Sequence, residues 1–128
     1  MNDLRSEGDF LSRLRGCGLR YDERAYLFVL ASIQRLQSRL AARRHVSGRE
    51  LCHGCREYAL EQYGLLARTV LQHWGVCGTG DFGRIVYHLV EVGLLVTRPD
   101  DREEDFHQVY SFEQAFDHPY DWQGIPGS

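Results

Sequence analysis

The chain has no lysine. All fifteen of its basic residues are arginine, so a lysine Schiff base, a phosphate-loop lysine and a catalytic lysine are excluded together. Long apolar runs are missing as well. The longest, such as Tyr26 to Ala31 and Val92 to Val96, fall far short of the roughly 20 residues that cross a bilayer. The opening MNDLRSEGDF lacks the apolar stretch and small-residue cleavage site of a secretory signal. These absences predict a cytoplasmic protein with no membrane partner, whose four cysteines are thiols rather than disulfides. HExxH, GxSxG and the phosphate loop are absent, and the GxGxxG match in CGTGDFG (Gly78 to Gly83) has no preceding strand that would make it a dinucleotide-binding loop.

What is present fits a single core. At 128 residues and 43% hydrophobic, residues 1–117 are expected to form one helical domain, with 118–128 as a C-terminal tail rich in turn formers. Charge is distributed unevenly. Residues 1–50 hold ten Arg against six Asp and Glu, whereas residues 51–128 hold five Arg against twelve, so the molecule is predicted to be electrically two-sided.

Residues Asp9 to Arg15 read as a short helix ended by Gly16 and Gly18. Asp22 is placed to cap a long helix, in which Tyr26, Val29, Leu30, Ile33 and Leu40 recur at spacings of three and four as far as about Ala42. Ser47 opens the next helix with Glu50 completing a capping box, and Gly64 is a natural stop. Leu65 to Trp74 forms a third. Thr79 or Asp81 caps a fourth, whose apolar face is Phe82, Ile85, Val86, Leu89 and Val90 and which ends at Gly93. Beyond it, LLVTR and FHQVYSF flank the turn-rich PDDREED and are predicted to pair as a β-hairpin. The fold class expected is therefore mainly α with a small β-hairpin, an α+β arrangement.

Helix, helix, helix and then a hairpin opening on VEVGLL resembles a winged helix over about residues 47–111, the glycine letting the chain swing from the last helix into the wing. Across Arg20 to Phe116, the stretches RYDERAYLFVLASIQ, HVSGRELCHGCREYALEQYG, VLQHWGV, DFGRIVYHLVEVGLL and FEQAF are similar to a small bacterial family of uncharacterised proteins. That family carries no assigned activity, so the resemblance implies no catalytic residues. In its pattern the positions of Cys52 and Cys55 are ordinary apolar ones.

The CxxC is the most explicit chemistry in the chain. On a helical wheel Leu51, Cys52, Cys55, Tyr58, Ala59 and Tyr63 share one apolar arc and His53 points away, so the two thiols read as small core residues. A redox pair would sit where a strand feeds a helix, which this one does not. The alternative is structural zinc, as Cys52, Cys55, His73 and Cys77 make an acceptable ligand set, although paired zinc cysteines usually lie on a knuckle rather than an amphipathic helix. The acidic run Asp100, Asp101, Glu103, Glu104 and Asp105 has no EF-hand spacing and reads as a solvated tip.

The outward face of the fourth helix carries Arg84, Tyr87, His88 and Glu91, too few cations for a DNA groove. These four are the candidate face for a protein partner. Arg35, Arg39, Arg43, Arg44 and Arg49 are the alternative, a basic surface for nucleic acid. No nucleophile, acid and base can be grouped, so the function expected is a non-enzymatic interaction module that binds protein.

Overall fold

The computed structural model describes residues 20–42 and 44–117. The predicted helix at Asp9 to Arg15, Cys17, Arg43 and the tail 118–128 lie outside the described residues. Among the described residues four α-helices form the frame: α1 (Glu23–Ser38), α2 (Gly48–Tyr63), α3 (Ala67–His73) and α4 (Thr79–Glu91). None is long and apolar enough to cross a membrane among the described residues.

The helix ends follow local chemistry. Asp22 accepts the Arg24 amide at 2.9 Å and so caps α1. Ser47 and Glu50 exchange side-chain and backbone bonds at 3.1 Å each, completing the capping box of α2. Gly64 ends α2 at φ +56°, and a 3₁₀ turn, Gly64–Leu66, leads into α3. Gly75 and Gly93 take φ +92° and +84° after α3 and α4, a conformation that costs glycine no Cβ clash. α1 stops at Ser38 rather than near Ala42: Arg39 and Leu40 bond carbonyls only three residues back, and the Gln37 side chain donates to the Arg44 carbonyl at 2.7 Å, tying down the connecting loop.

α1 packs on α2 and α4, and their apolar faces meet in one core with α3 at its side. Tyr26, Val29, Leu51, Leu71, Ile85 and Leu89 are fully buried. Aromatic rings extend this core toward the C-terminal segment. Phe28 stacks on Phe82 at 6.3 Å, and Phe112 meets Phe82 at 5.8 Å and Phe116 edge-on at 5.0 Å.

The predicted hairpin is not there. Among the described residues no strand occurs, and residues 94–112 run as irregular chain interrupted by a 3₁₀ turn, Glu103–Phe106. Two features of PDDREEDFHQVYSF account for the difference. Its aspartates bond backbone amides locally, Asp101 accepting from Arg98 N at 2.7 Å and Asp105 from Arg102 N at 3.1 Å, which offers the backbone an alternative to a ladder. Its apolar side chains also turn inward instead of alternating across a pleat. Phe106 and Phe112 are buried, as are Leu94 and Leu95 of the preceding LLVTR, Val109 N donates to Thr79 Oγ1 at 3.2 Å and Tyr110 Oη to the Cys52 carbonyl at 2.6 Å. The segment is a plug held to α2 and α4, not a wing. His45 and Asp101, both mostly buried, clasp it to the loop before α2 at 2.9 Å. A turn of π-helix, Glu113–Asp117, follows, and the buried Arg56 fixes it by donating Nε to the Ala115 carbonyl at 3.1 Å.

Candidate functional site

Burial of Phe82, Ile85, Val86 and Leu89 turns the opposite side of α4 outward. Arg84, Tyr87, His88 and Glu91 all line one open cleft of about 350 Å³ on that side. Glu103 of the plug segment and Tyr21, just before α1, complete its walls, with Tyr26 among the lining and Arg20 also contributing. The helical wheel thus found the residues that α4 supplies, and the tertiary fold supplies the rest.

Two hydrogen bonds organise the cleft. Tyr26, otherwise buried in the core, brings its hydroxyl to 2.9 Å from His88 Nδ1, with the two rings edge-on at 5.4 Å. The imidazole is therefore oriented by a partner 62 positions away. Near the start of α4, Asp81 is a hub. Its Oδ2 accepts the Cys77 and Gly78 amides at 2.8 and 3.2 Å, while Oδ1 accepts the Tyr21 hydroxyl at 2.6 Å and Arg84 at 2.8 Å. Burial and the bond to Asp81 push the Tyr21 hydroxyl up to about 12. Arg84 is consequently matched by a carboxylate of its own helix.

Tyr87 is different. Its hydroxyl oxygen is buried and has no hydrogen-bond partner among the described residues. Burial raises its pKa, and the neighbouring carboxylates Asp101, Asp105, Glu103 and Glu104 raise it further, so the local field is negative. Glu91 and Glu103 make no ion pair among the described residues, and Glu91 is exposed.

The arginines proposed for nucleic acid are disposed in another way. Arg35, its side chain only 13% exposed, donates to Glu61 at 2.7 and 3.0 Å and to Glu57 at 3.3 Å. Arg39 also reaches Glu61, at 3.5 Å. Arg44 forks onto Glu50 at 2.6 and 3.2 Å. Arg49 is exposed and outside these pairs, and Arg43 lies outside the described residues. Most of this cluster serves as a clasp to carboxylates of α2.

The four candidate zinc ligands do not converge. Cys52 and Cys55 are fully buried, as the helical wheel predicts, whereas His73 and Cys77 are exposed. No group of three or more His, Cys, Asp or Glu is placed to hold a metal ion among the described residues. Desolvation lifts both thiols, Cys55 to about 12, which suppresses the thiolate that redox or metal chemistry needs. His53, off that apolar arc, is half-buried, its ring 5.5 Å from that of Tyr110.

A larger cleft of about 810 Å³ lies at the start of α4, with Arg68, Cys77, Thr79, His107 and Glu113 among its lining. The sequence did not point to it, because it needs the plug segment folded against α4. Arg68 pairs with Asp117 through Nη1, while its Nε is buried without a hydrogen-bond partner among the described residues, and nearby Asp81 holds the amides of Cys77 and Gly78.

Comparison of the chain with protein-family models, with curated proteins and with solved structures finds no match.

Proposed function

We propose that this chain is a non-enzymatic interaction module that recognises a protein partner through the outer face of α4, with Arg84, Tyr87, His88 and Glu91 as its contact residues. The observation that carries the reading is the contrast between the two charged surfaces. The arginines Arg35, Arg39 and Arg44 are engaged by Glu57, Glu61 and Glu50, so a phosphate would have to displace carboxylates already in place. The α4 face instead offers aromatic rings, an oriented imidazole and carboxylates without ion pairs, the mixture of anchor and polar rim that protein interfaces use. Among the described residues His88 has no serine, threonine or cysteine beside it in the cleft, which favours binding over nucleophilic catalysis.

Affinity capture from the native cell tests the reading, comparing the unaltered chain with a Tyr87→Ala/His88→Ala variant of the same thermal stability. A partner retained by the unaltered chain and lost by the variant is the expected result. Capture indifferent to the substitutions would remove α4 as the interface.

A further inference from the structure

We infer that the α4 cleft receives an arginine side chain from the docking segment of the partner. The inference rests on the reading of α4 as the partner face and adds what meets it there.

The charge of the site is the first reason. Glu91 is the last residue of α4, where the negative end of the helix dipole adds to its own charge rather than opposing it. Glu103 lies across the cleft from the neighbouring segment. From Arg98 to Asp105 that segment carries five carboxylates against two arginines. Arg84, on the same helix, is already matched by Asp81 at 2.8 Å, which leaves Arg20 as the other cation of the lining among the described residues. The cleft therefore presents a surplus of acceptors to an incoming donor.

Shape and hydrogen bonding narrow the donor. A space of about 350 Å³ is at the low end of ligand sites, which run from roughly 300 to 1,000 Å³, so it suits one side chain rather than a cofactor. Its flat elements are the rings of Tyr87 and His88, and a planar guanidinium stacks on such faces while keeping its edge donors free. Lysine brings the charge but neither the plane nor the fork.

The test uses the full ¹⁵N-labelled chain at low salt with three capped tripeptide probes, Gly-Arg-Gly, Gly-Lys-Gly and Gly-Glu-Gly. Saturable amide shifts centred on Tyr87, His88, Glu91 and Glu103 are expected with the arginine peptide, weaker ones with lysine, and none with glutamate. Glu91→Gln/Glu103→Gln should weaken the arginine response about tenfold, the size of two exposed ion pairs, without moving the thermal midpoint. Glu113→Gln, an exposed carboxylate on the other cleft, should leave it unchanged. Equal responses to arginine and lysine, shifts centred elsewhere, or indifference to the double substitution would overturn the inference. In the capture experiment, a partner lost on Tyr87→Ala/His88→Ala but kept on Glu91→Gln/Glu103→Gln overturns the arginine alone. A partner kept by both variants overturns the α4 reading itself.

Discussion

Phe106 and Gly83 fit each other so closely that a methyl group on the glycine would stand 2.8 Å from Phe106 Cβ and 2.9 Å from Cγ. Toward the outer end of the same ring, a Cβ at Gly48 would come within 2.8 Å of Cε1. The bare backbones of α2 and α4 thus make the slot in which the plug segment seats its one fully buried residue of the Glu103–Phe106 turn.

A pair of substitutions within α4 tests that slot. Gly83→Ala gains the usual helix preference of about 1 kcal/mol but meets atoms next to the Phe106 backbone, so overpacking of about 1–3 kcal/mol is expected to outweigh it. Gly80→Ala, whose nearest neighbour is His107 at 3.7 Å, meets ordinary contact only and should stabilise by about 0.5–1 kcal/mol. Chemical denaturation of the two variants reads the difference. Equal effects at both positions would show that Phe106 does not seat there.

Helix faces and most helix ends were legible in the sequence because they are set by chemistry within one turn, whereas α1 ends at Ser38 instead of near Ala42 and α4 is capped by Gly78 instead of Thr79 or Asp81. Asp22, Ser47 with Glu50, Gly64 and Gly93 act where spacing places them. The hairpin was misread for a physical reason: Val109, Tyr110 and Phe112 have the same β preference whether they ladder or plug a core, and only the tertiary slot of Gly48 and Gly83 decides. At the cleft, periodicity identified Arg84, Tyr87, His88 and Glu91. Tyr26 reaching His88, and Tyr21 reaching Asp81, join positions 62 and 60 apart, and no local pattern marks such pairs. The arginine cluster was visible as composition, but its neutralisation by Glu57 and Glu61 depends on how α1 packs against α2.

The thiols provide a second prediction. Brief treatment with a maleimide near pH 7, followed by peptide mapping, should modify the exposed Cys77 and leave Cys52 and Cys55 untouched until denaturant is added, since both are buried and their pKa values are raised. Metal analysis of protein purified without chelator belongs to the same experiment. About one zinc per chain, with Cys52, Cys55, His73 and Cys77 protected together, would replace the core reading with a structural metal site.

Acid should weaken the start of α2. Arg44, with help from the Ser47 amide, holds Glu50 down at about 2 from its ordinary 4.5. A depressed folded pKa means that the contribution is fully present above about pH 4.5 and is lost as pH falls through about 2. Replacing Glu50 by Gln removes the charge at every pH. The variant should therefore be less stable by about 0.2–1 kcal/mol at neutral pH, the range of an exposed pair, and the gap should close on acidification. Urea titrations of both proteins across the acid range measure it, and a gap independent of pH would mean that the Arg44–Glu50 pair contributes nothing.

The arginine surface yields the final prediction, and it turns on carboxylates rather than arginines. Because Glu57 and Glu61 hold Arg35 and Glu61 also reaches Arg39, few cations are left to release counterions from phosphate. Random duplex and single-stranded probes should bind no tighter than ~10⁻⁵ M near 150 mM salt, within the non-specific range. Glu57→Gln/Glu61→Gln frees both arginines, so the same probes should bind more tightly to the variant and with a steeper dependence on salt. That gain, absent from the unaltered chain, would show that α2 masks a surface otherwise competent for phosphate. Submicromolar binding by the unaltered chain that collapses on Arg39→Ala/Arg44→Ala would mean that phosphate displaces the carboxylates unaided, and nucleic acid would then take the place of the protein partner.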